Sequence, residues 1–457
     1  MTMRAHYQIV ISSELSKTVY YPAKLTTESS IQKIAFGTNV VAAKCSPHPD
    51  HQNIVVISED LQLELKFPSL QTPLHLFVEN GTLFVGPLVG IFTCGFTPFP
   101  LQPVGERSHF FAKLLAVAKT VGVLPFIFGE QHIDWENGII TGLFYQNNCW
   151  LKLDVPFPNV IYDRLPNRRS ERRLELIKIK ERLQNDYLIP WYNPGFFNKM
   201  DIFEQLYQDD SISDFLPETH SFQSFSMIER MLADYGHIFI KPKNGSLGLG
   251  IYQIIFDKET NQYYCRYRDR HGENKLTKFK SLEGLAENLF SKNKLTNLLV
   301  QQGIHLIRVD QRTIDFRIHT NKDDQGNWKV TAIAAKVAGS GSVTTHLHNG
   351  GEIKTIQEIF PDPKEQEMFR TKLTDVALKV SNSLEQQISG IIGEIGFDVG
   401  IDRNGEVWVF EANSKPGRSI FKHPHLKEFD YLTRKLSLAF AVFLAEKSIT
   451  KPEEVFK

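Results

Sequence analysis

The sequence lacks an excess of charge, long apolar runs and paired cysteines. Lys plus Arg and Asp plus Glu number 52 each in 457 residues, so no overall field favours nucleic acid or an anionic membrane surface. The four cysteines follow no CxxC or metal-ligand spacing, which is typical of reduced thiols. No stretch approaches about 18 consecutive apolar residues, and residues 1–17 contain no run of signal-peptide length. We therefore expect a cytoplasmic protein without a membrane span or a nucleic-acid partner.

Changes of pattern along the chain predict three domains. Residues 1–85 alternate short apolar runs with turn-type clusters, which predicts a small β-rich domain. Residues 86–197 contain strand, helix and strand patterns in the order of a βαβ unit with a parallel sheet. Residues 198–457 mix helices with antiparallel strands. The predicted class is therefore a mixed α/β and α+β multidomain chain.

The stretch 393–419, GEIGFDVGIDRNGEVWVFEANSKPGRS, has the pattern of a β-hairpin. Asn404-Gly405 is typical of a type I′ turn, which needs positive φ at both central residues. With these residues in the turn, Asp398 faces Glu411, and the two-residue period places Asn413 on the same face as Glu411. The opposite face is expected to carry the core residues Phe397, Val399, Ile401, Trp408, Phe410 and Ala412.

Two directly opposed carboxylates destabilise a strand pair unless something neutralises them. Oxygen ligands on a rigid strand pair suit Mg²⁺, so Asp398, Glu411 and Asn413 form a candidate metal site. An ordinary hairpin with its polar face in solvent fits the pattern equally well.

A second candidate site lies in a strand, loop and strand pattern at residues 237–256. The loop KPKNGSLGLG leads into a strand rather than a helix, so it matches neither a P-loop nor a Rossmann motif. Such a hairpin can still cover phosphates with backbone N–H groups, and Lys241 would add a positive charge. A flexible hairpin tip with a surface lysine is the alternative.

Arg317 and Lys336 lie on two predicted antiparallel strands, 312–320 and 328–338. Cations that line a cleft are costly unless carboxylates or phosphate pair with them. The following segment contains His346 and His348, which are too few ligands to indicate a metal site.

Together these stretches resemble the ATP-grasp superfamily over residues 198–444. Asp398, the ExN motif at Glu411 and Asn413, and Pro416-Gly417 look like the Mg²⁺-binding signature of D-alanine-D-alanine ligase and glutathione synthetase. FIKPKNGSLGLGI is similar to their phosphate-covering loop, and DFRI at 315–318 is similar to a strand of the ribosomal-protein glutamate ligases. The whole chain resembles the YheC/YheD family of endospore coat-associated proteins.

The resemblance implies a pre-ATP-grasp domain before a C-terminal ATP-grasp fold that binds ATP and Mg²⁺. It implies metal contacts from Asp398, Glu411 and Asn413, and catalytic roles for Arg317 and Lys336. The residues that it assigns to the nucleotide are Lys241, Lys243, Ser246, Gly248, Gln301, Gln302 and Ile304. The sequence departs from the family pattern at His346, where the glutamate ligases have Asn, and at Gln301-Gln302, where many relatives have an acidic residue.

The function that this resemblance implies is an ATP-dependent carboxylate-amine ligase acting through an acyl phosphate. Its partners would be ATP, an unidentified carboxylate and amine of the amino-acid or peptide type, and spore-coat proteins in the mother cell. Two alternatives stay open: a structural coat protein that keeps the fold without turnover, and a small-molecule kinase. Substrate-dependent ADP release separates the first from a ligase, and phosphate retained on the product indicates the second.

Overall fold

The computed structural model describes residues 5–25, 30–50, 53–243, 249–290 and 297–456. The first part of the chain forms two small sheets from short strands that alternate apolar and polar residues. Its elements are β1 (Gln8–Ser12), β2 (Thr18–Tyr21), β3 (Lys33–Phe36), β4 (Asn39–Ala42), β5 (Lys44–Pro47), β6 (Ile54–Ser58), α1 (Glu59–Leu65), β7 (His75–Glu79) and β8 (Thr82–Gly86). One sheet has the order β1, β6, β2, β5, and the other has the order β4, β3, β8, β7.

A mixed sheet follows, called the parallel sheet here because four adjacent strands in it run parallel. Its elements are β9 (Leu88–Phe92), α2 (Ser108–Leu115), α3 (Ala118–Val121), β10 (Leu124–Phe128), β11 (Ile133–Asp134), β12 (Ile139–Gln146), β13 (Cys149–Pro156), β14 (Val160–Asp163), α4 (Arg168–Glu171), α5 (Leu174–Asn185) and β15 (Trp191–Tyr192). The strand order is β11, β12, β10, β9, β14, β15, with β13 paired to β12. Every residue of β9, β10 and β14 is buried, as expected for parallel strands that are covered on both faces.

The third sheet is antiparallel and precedes the carboxylate hairpin. Its region comprises α6 (Lys199–Leu206), β16 (Thr219–Ser221), α7 (Phe225–Tyr235), β17 (His237–Pro242), β18 (Tyr252–Asp257), β19 (Gln262–Arg268), β20 (Asn274–Phe279), α8 (Leu282–Leu289) and β21 (Leu298–Gln302). The strand order is β16, β21, β17, β18, β19, β20. Apolar residues of α7 and α8 pack on this sheet and form its core.

The last sheet contains the hairpin. Its region comprises β22 (Arg308–Val309), β23 (Arg312–Lys322), β24 (Trp328–Val337), β25 (Glu352–Lys354), α9 (Ile356–Ile359), α10 (Pro363–Gln387), β26 (Glu394–Ile401), β27 (Val407–Asn413), α11 (Lys427–Thr450) and α12 (Pro452–Val455). The strand order is β25, β24, β23, β26, β27. Helix α10 packs on one face, and the other face carries a smaller apolar cluster of Ala332 and Ala334 with Ile420, Phe421 and Leu426 beside the charged site.

Helix α11 joins this region to the parallel sheet. Its buried residues from Leu436 to Ala445 share a core with Val89 and Ile91 of β9, whereas Leu88 and Phe92 face a core that includes α5. None of the helices in the described ranges is both long and apolar enough to cross a membrane. The mixed α/β and α+β class is confirmed, and the domain boundaries at residues 85 and 197 stay predictions.

Candidate functional site

The candidate site lies on the face of the last sheet that α10 leaves uncovered. In neighbouring strands, Asp315 pairs with Lys336, Arg317 with Asp398, and Asp398 with Glu411. Directly paired residues project from the same face of a sheet. The predicted catalytic cations and the predicted metal-binding carboxylates therefore lie side by side.

Short ion pairs connect these side chains. Lys336 Nζ lies 2.8 Å from Asp398 Oδ1 and 2.9 Å from Asp315 Oδ1. Arg317 Nε lies 3.1 Å from Asp398 Oδ1, and its Nη2 donates to Oδ2 at 3.1 Å. The Thr345 hydroxyl donates to Asp315 Oδ2 at 2.5 Å. Cations thus neutralise Asp398, which would otherwise repel the carboxylate opposite.

The protonation states follow from this network. Burial by itself would raise the pKa of Asp398, but Arg317 and Lys336 hold that pKa well below its usual range. Burial would lower the pKa of Lys336, but the carboxylates of Asp315 and Asp398 raise it. Burial raises the pKa of Asp315, against the effect of Lys336. Asp398 is therefore a carboxylate and Lys336 a cation at neutral pH.

Lys199 is a functional candidate that the sequence analysis missed. It is the first residue of α6, and its Nζ lies 3.2 Å from Glu411 Oε2. The first turn of this helix carries no motif that relates it to a hairpin so distant in sequence. Thr345 was missed for the same reason.

The predicted type I′ turn of the hairpin is wrong. The N–H of Gly405, which has φ of 83°, donates to Asp402 O at 3.0 Å, and Asp402 N–H donates to Glu406 O at 2.9 Å. The loop is therefore residues 403–405. Asp402 Oδ1 accepts the N–H groups of Asn404 and Glu406, and this carboxylate holds the longer loop.

A β-bulge nevertheless restores the predicted carboxylate pair. Beyond the loop, Ile401 pairs with Val407, one position from the predicted register, and the register shifts again next to Asp398. Phe410 has no cross-strand partner there. Because the loop and the bulge compensate, Asp398 faces Glu411 as predicted.

The bulge also changes the predicted core face of the hairpin. Val407 and Val409 are 4% and 1% exposed and pack in the core, whereas Trp408 and Phe410 are only half-buried. Both aromatic residues were predicted in the core. The other predicted core residues are buried: Phe397, Val399, Ile401 and Ala412.

Lys241 of β17 approaches this face from the antiparallel sheet. Its Nζ donates to Gln301 Oε1 at 2.5 Å and lies 6.0 Å from the centroid of the Phe410 ring. Burial, together with the charge of Lys199, lowers the pKa of Lys241 to about 8, although Glu411 opposes the shift. The two sheets therefore bring Lys241 and the hairpin carboxylates to one cleft.

Two glutamines at the end of β21, which were predicted to contact the nucleotide, form hydrogen bonds at the start of the neighbouring strand β16. Gln301 Nε2 donates to Thr219 Oγ1 at 2.9 Å, and Gln302 Oε1 accepts the N–H of Glu218 at 3.0 Å. Ile304 follows and accepts the N–H of Leu306 at 3.1 Å. Contacts of Gln301, Gln302 and Ile304 with a nucleotide stay predictions.

The predicted phosphate loop is described only at its edges. The Lys243 N–H donates to Asn297 O at 2.9 Å, which fixes the start of the loop. Ser246 and Gly248 lie outside the described residues. His346 caps a short turn by accepting the N–H of His348.

The residues predicted to hold Mg²⁺ fit that ion in donor chemistry. Asp398, Glu411 and Asn413 offer two carboxylates and a carboxamide, and Mg²⁺ completes such a set with water and phosphate oxygens. Across the described ranges, no three His, Cys, Asp or Glu side chains are grouped to hold a metal ion. A site here would therefore require Asn413 as the third protein ligand.

Comparison with known proteins decides the family. A family model described as YheC/D like ATP-grasp matches residues 188–444. The endospore coat-associated protein YheD of Bacillus subtilis is 42% identical over 98% of both chains. This chain belongs to the YheC/D-like ATP-grasp family. Endospore coat-associated protein YheC of the same organism is 24% identical over 62% of this chain and 77% of its own. The chain therefore has the predicted ATP-grasp fold in its C-terminal part.

Two solved structures resemble this ATP-grasp chain at low identity. D-alanine–D-alanine ligase from Bacillus anthracis is 11% identical with a TM-score of 0.44, covering 79% of this chain and 99% of that one. VanG D-Ala:D-Ser ligase from Enterococcus faecalis is 11% identical with a TM-score of 0.43, covering 78% and 99%. Because both scores are below 0.5, the family assignment rests on the sequence comparisons.

Proposed function

We propose that this chain binds ATP with Mg²⁺ and joins a carboxylate to an amine through an acyl phosphate. The observation that carries the proposal is the position of Lys241 opposite Asp398 and Glu411, on two sheets that face one cleft. ATP would supply the phosphoryl group that activates the carboxylate. The chain would supply positioning and charge neutralisation, which are the main requirements of phosphoryl transfer.

Each residue has a role that its contacts support. Asp398, Glu411 and Asn413 would hold the metal ion, and Lys241 would donate to a phosphate oxygen. The Nη1 of Arg317 is a buried N–H group without a hydrogen-bond partner among the described residues. It is therefore suited to the phosphoryl group or to the substrate carboxylate, because an unpaired buried donor is costly until an acceptor arrives. Lys336 would keep Asp398 ionised.

The proposed reaction needs no nucleophilic side chain. A substrate carboxylate oxygen accepts the phosphoryl group while ADP departs, and an amine then attacks the acyl carbon. The amine loses a proton and inorganic phosphate leaves, so an amide, ADP and phosphate are formed from ATP, acid and amine.

Association with the endospore coat is part of the same proposal. It is supported by the name of the Bacillus subtilis relative that matches almost the whole chain. A structural coat protein without turnover is the second candidate. One observation favours it: Arg317, Lys336 and Lys199 already neutralise Asp398 and Glu411, so the hairpin is electrostatically satisfied without a metal ion.

The test is ADP release from Mg-ATP in the presence of pooled amino acids and short peptides. A ligase gives ADP, free phosphate and an amide product in equal amounts, and Lys336→Met abolishes the release. Lys329→Met is the matched control, because Lys329 lies on the same strand β24 with 47% of its side chain exposed. ADP with the phosphate retained on the product would identify a kinase instead. Nucleotide binding without substrate-dependent ADP would favour the coat protein.

A further inference from the structure

Five arginines from separate segments form a chain of electrostatic neighbours: Arg107, Arg164, Arg317, Arg418 and Arg434. Arg164 directly follows β14, and Arg107 donates to Thr93 Oγ1 at 2.8 Å directly beyond β9. β9 and β14 are parallel neighbours, while the strand that follows β9 in sequence, β10, lies on its other side. Arg164 and Arg107 therefore lie at the carboxyl ends of β14 and β9, at a topological switch point, where open α/β sheets bind ligands.

Shared partners hold three of these arginines together. Glu394 lies 3.2 Å from Arg164 Nη1 and 3.1 Å from Arg418 Nη2. Asp430 binds both Arg418 and Arg434. The Phe110 ring lies 4.9 Å from the guanidinium carbon of Arg164 and 5.5 Å from that of Arg418. The parallel sheet and the segment that follows the hairpin thus contribute to one cationic cluster.

Cations exceed carboxylates in this cluster. With Lys336 included, six cations meet four carboxylates, which are Asp315, Asp398, Glu394 and Asp430. Arg107 contributes to the excess, because its described partners are the Thr93 hydroxyl and the Cys94 carbonyl rather than a carboxylate. Buried cations without counter-charges are costly.

Donor groups in the same cluster also lack acceptors. Within the described part of the chain, Arg317 Nη1, Arg418 Nε and Arg434 Nε are buried without a hydrogen-bond partner. The side chains of Arg164, Arg317, Arg418 and Arg434 nevertheless keep 10–18% exposure. The cluster therefore has excess positive charge and stays partly open to solvent. Guanidinium groups bind carboxylates with good geometry.

We propose that this arginine cluster binds a carboxylate group that the ligase substrate carries in addition to its reacting group. The inference rests on the proposed function and specifies the substrate class as a dicarboxylate or an acidic amino acid. Arg107 and Arg164 would bind the second carboxylate from the parallel sheet, while Arg317 faces the reacting group.

The test compares succinate and glutarate with their monoamides by calorimetry on the full chain without nucleotide. The dicarboxylates are expected to bind at least about tenfold more tightly, the factor that corresponds to ~1.4 kcal/mol. Arg107→Gln should remove this difference, and it leaves no buried carboxylate unpaired. Arg173→Gln should retain it, since Arg173 lies in the same region, pairs with Glu130 and is 42% exposed.

Further measurements on the same proteins separate the outcomes. Equal binding of dicarboxylates and monoamides to the wild type, or a difference that survives in Arg107→Gln, would overturn the inference. Inorganic phosphate that binds as tightly as succinate would also overturn it, because the cluster would then be an unselective anion site. A Mg-ATP thermal shift recorded on the same protein separates failure of this inference from failure of the proposed function. If Mg-ATP shifts the wild type but dicarboxylates bind no better than monoamides, only the inference is overturned. If Mg-ATP gives no shift, the proposed function is overturned.

Discussion

Arg317 and Asp398 occupy directly paired positions on β23 and β26, and the guanidinium Nε and Nη2 each lie 3.1 Å from a carboxylate oxygen. The backbone register therefore fixes this ion pair, which is only 16–18% exposed. Lys336 reaches the same carboxylate from β24. Three strands thus define the charge distribution at the centre of the proposed active site.

Asp398→Asn should destabilise the protein by about 3 kcal/mol, because it leaves two largely buried cations with too little negative charge. The free energy of unfolding in urea measures this loss. Asp375→Asn is the control, since Asp375 is exposed on α10. A loss no larger than that of the control would show that the network contributes little to stability.

Lys241 should make both the Mg-ATP thermal shift and the stability of the nucleotide-free chain depend on pH, with opposite signs. Its pKa is about 8 in the folded chain against an ordinary value of 10.5, so the lysine loses its charge as pH rises through about 8. The Mg-ATP thermal shift should therefore decrease between pH 7 and 9. Without nucleotide, the unfolded state binds more protons than the native state in this range, so this lysine makes stability rise with pH.

Lys241→Gln serves as the reference for both measurements. The difference in unfolding free energy between wild type and variant should change in favour of the wild type from pH 8 to 10. A Mg-ATP shift with the same pH profile in both proteins would argue against a phosphate contact by Lys241.

Gly396→Ala should disturb the loop that follows the hairpin. An added Cβ would lie 2.4 Å from Pro416 Cβ and 3.2 Å from Arg317 Nη1, and a proline ring held in a loop cannot rotate away. We expect a loss of about 2 kcal/mol on thermal or urea unfolding. Gly417→Ala, where no atom lies within 4 Å of the added Cβ, should be nearly neutral, and similar losses in both would contradict the explanation.

Lys415→Met should lower the free energy of unfolding by about 4 kcal/mol, because it removes the cation of a buried ion-pair network. Its Nζ lies 2.7 Å from both Asp163 Oδ1 and Glu171 Oε1, and its side chain is 3% exposed. The change would leave two carboxylates without their cation. Asp163→Asn should therefore restore part of the loss in a double-mutant cycle on urea unfolding, whereas strictly additive losses would contradict this coupling.

Local patterns predicted individual elements well. Helix α10 begins at a start signal that is visible in the sequence, with Asp362 capping the Lys364 N–H and Pro363 in the first turn. The strand, helix and strand order after residue 86 and the two antiparallel strands that carry Arg317 and Lys336 also match the structure. These signals are contained in a few consecutive residues, so one sequence is sufficient.

The hairpin register shows where local patterns become inadequate. The Asn404-Gly405 pair indicated a two-residue turn, but the Asp402 carboxylate stabilises a longer loop. Only the bulge at Phe410 brings Asp398 and Glu411 back into directly opposed positions. A turn dipeptide does not report the side-chain contacts that select its loop length.

The long-range partners were beyond prediction from one sequence. Lys199 reaches Glu411 from another part of the chain, and Lys415 pairs with Asp163 and Glu171 of the parallel-sheet region. These contacts depend on how the sheets pack against each other. The arginine cluster was not predicted, because only tertiary packing brings its members together.

Thermal unfolding with and without Mg-ATP shows whether the hairpin and Lys241 form one Mg-ATP site. A ligand at about 100 times Kd should stabilise the folded chain by roughly 2.7 kcal/mol. We predict this Mg²⁺-dependent shift in the wild type and in Asp375→Asn, and its loss in Glu411→Gln and Lys241→Gln. A wild type without a shift, or an undiminished shift in Glu411→Gln, would contradict the account.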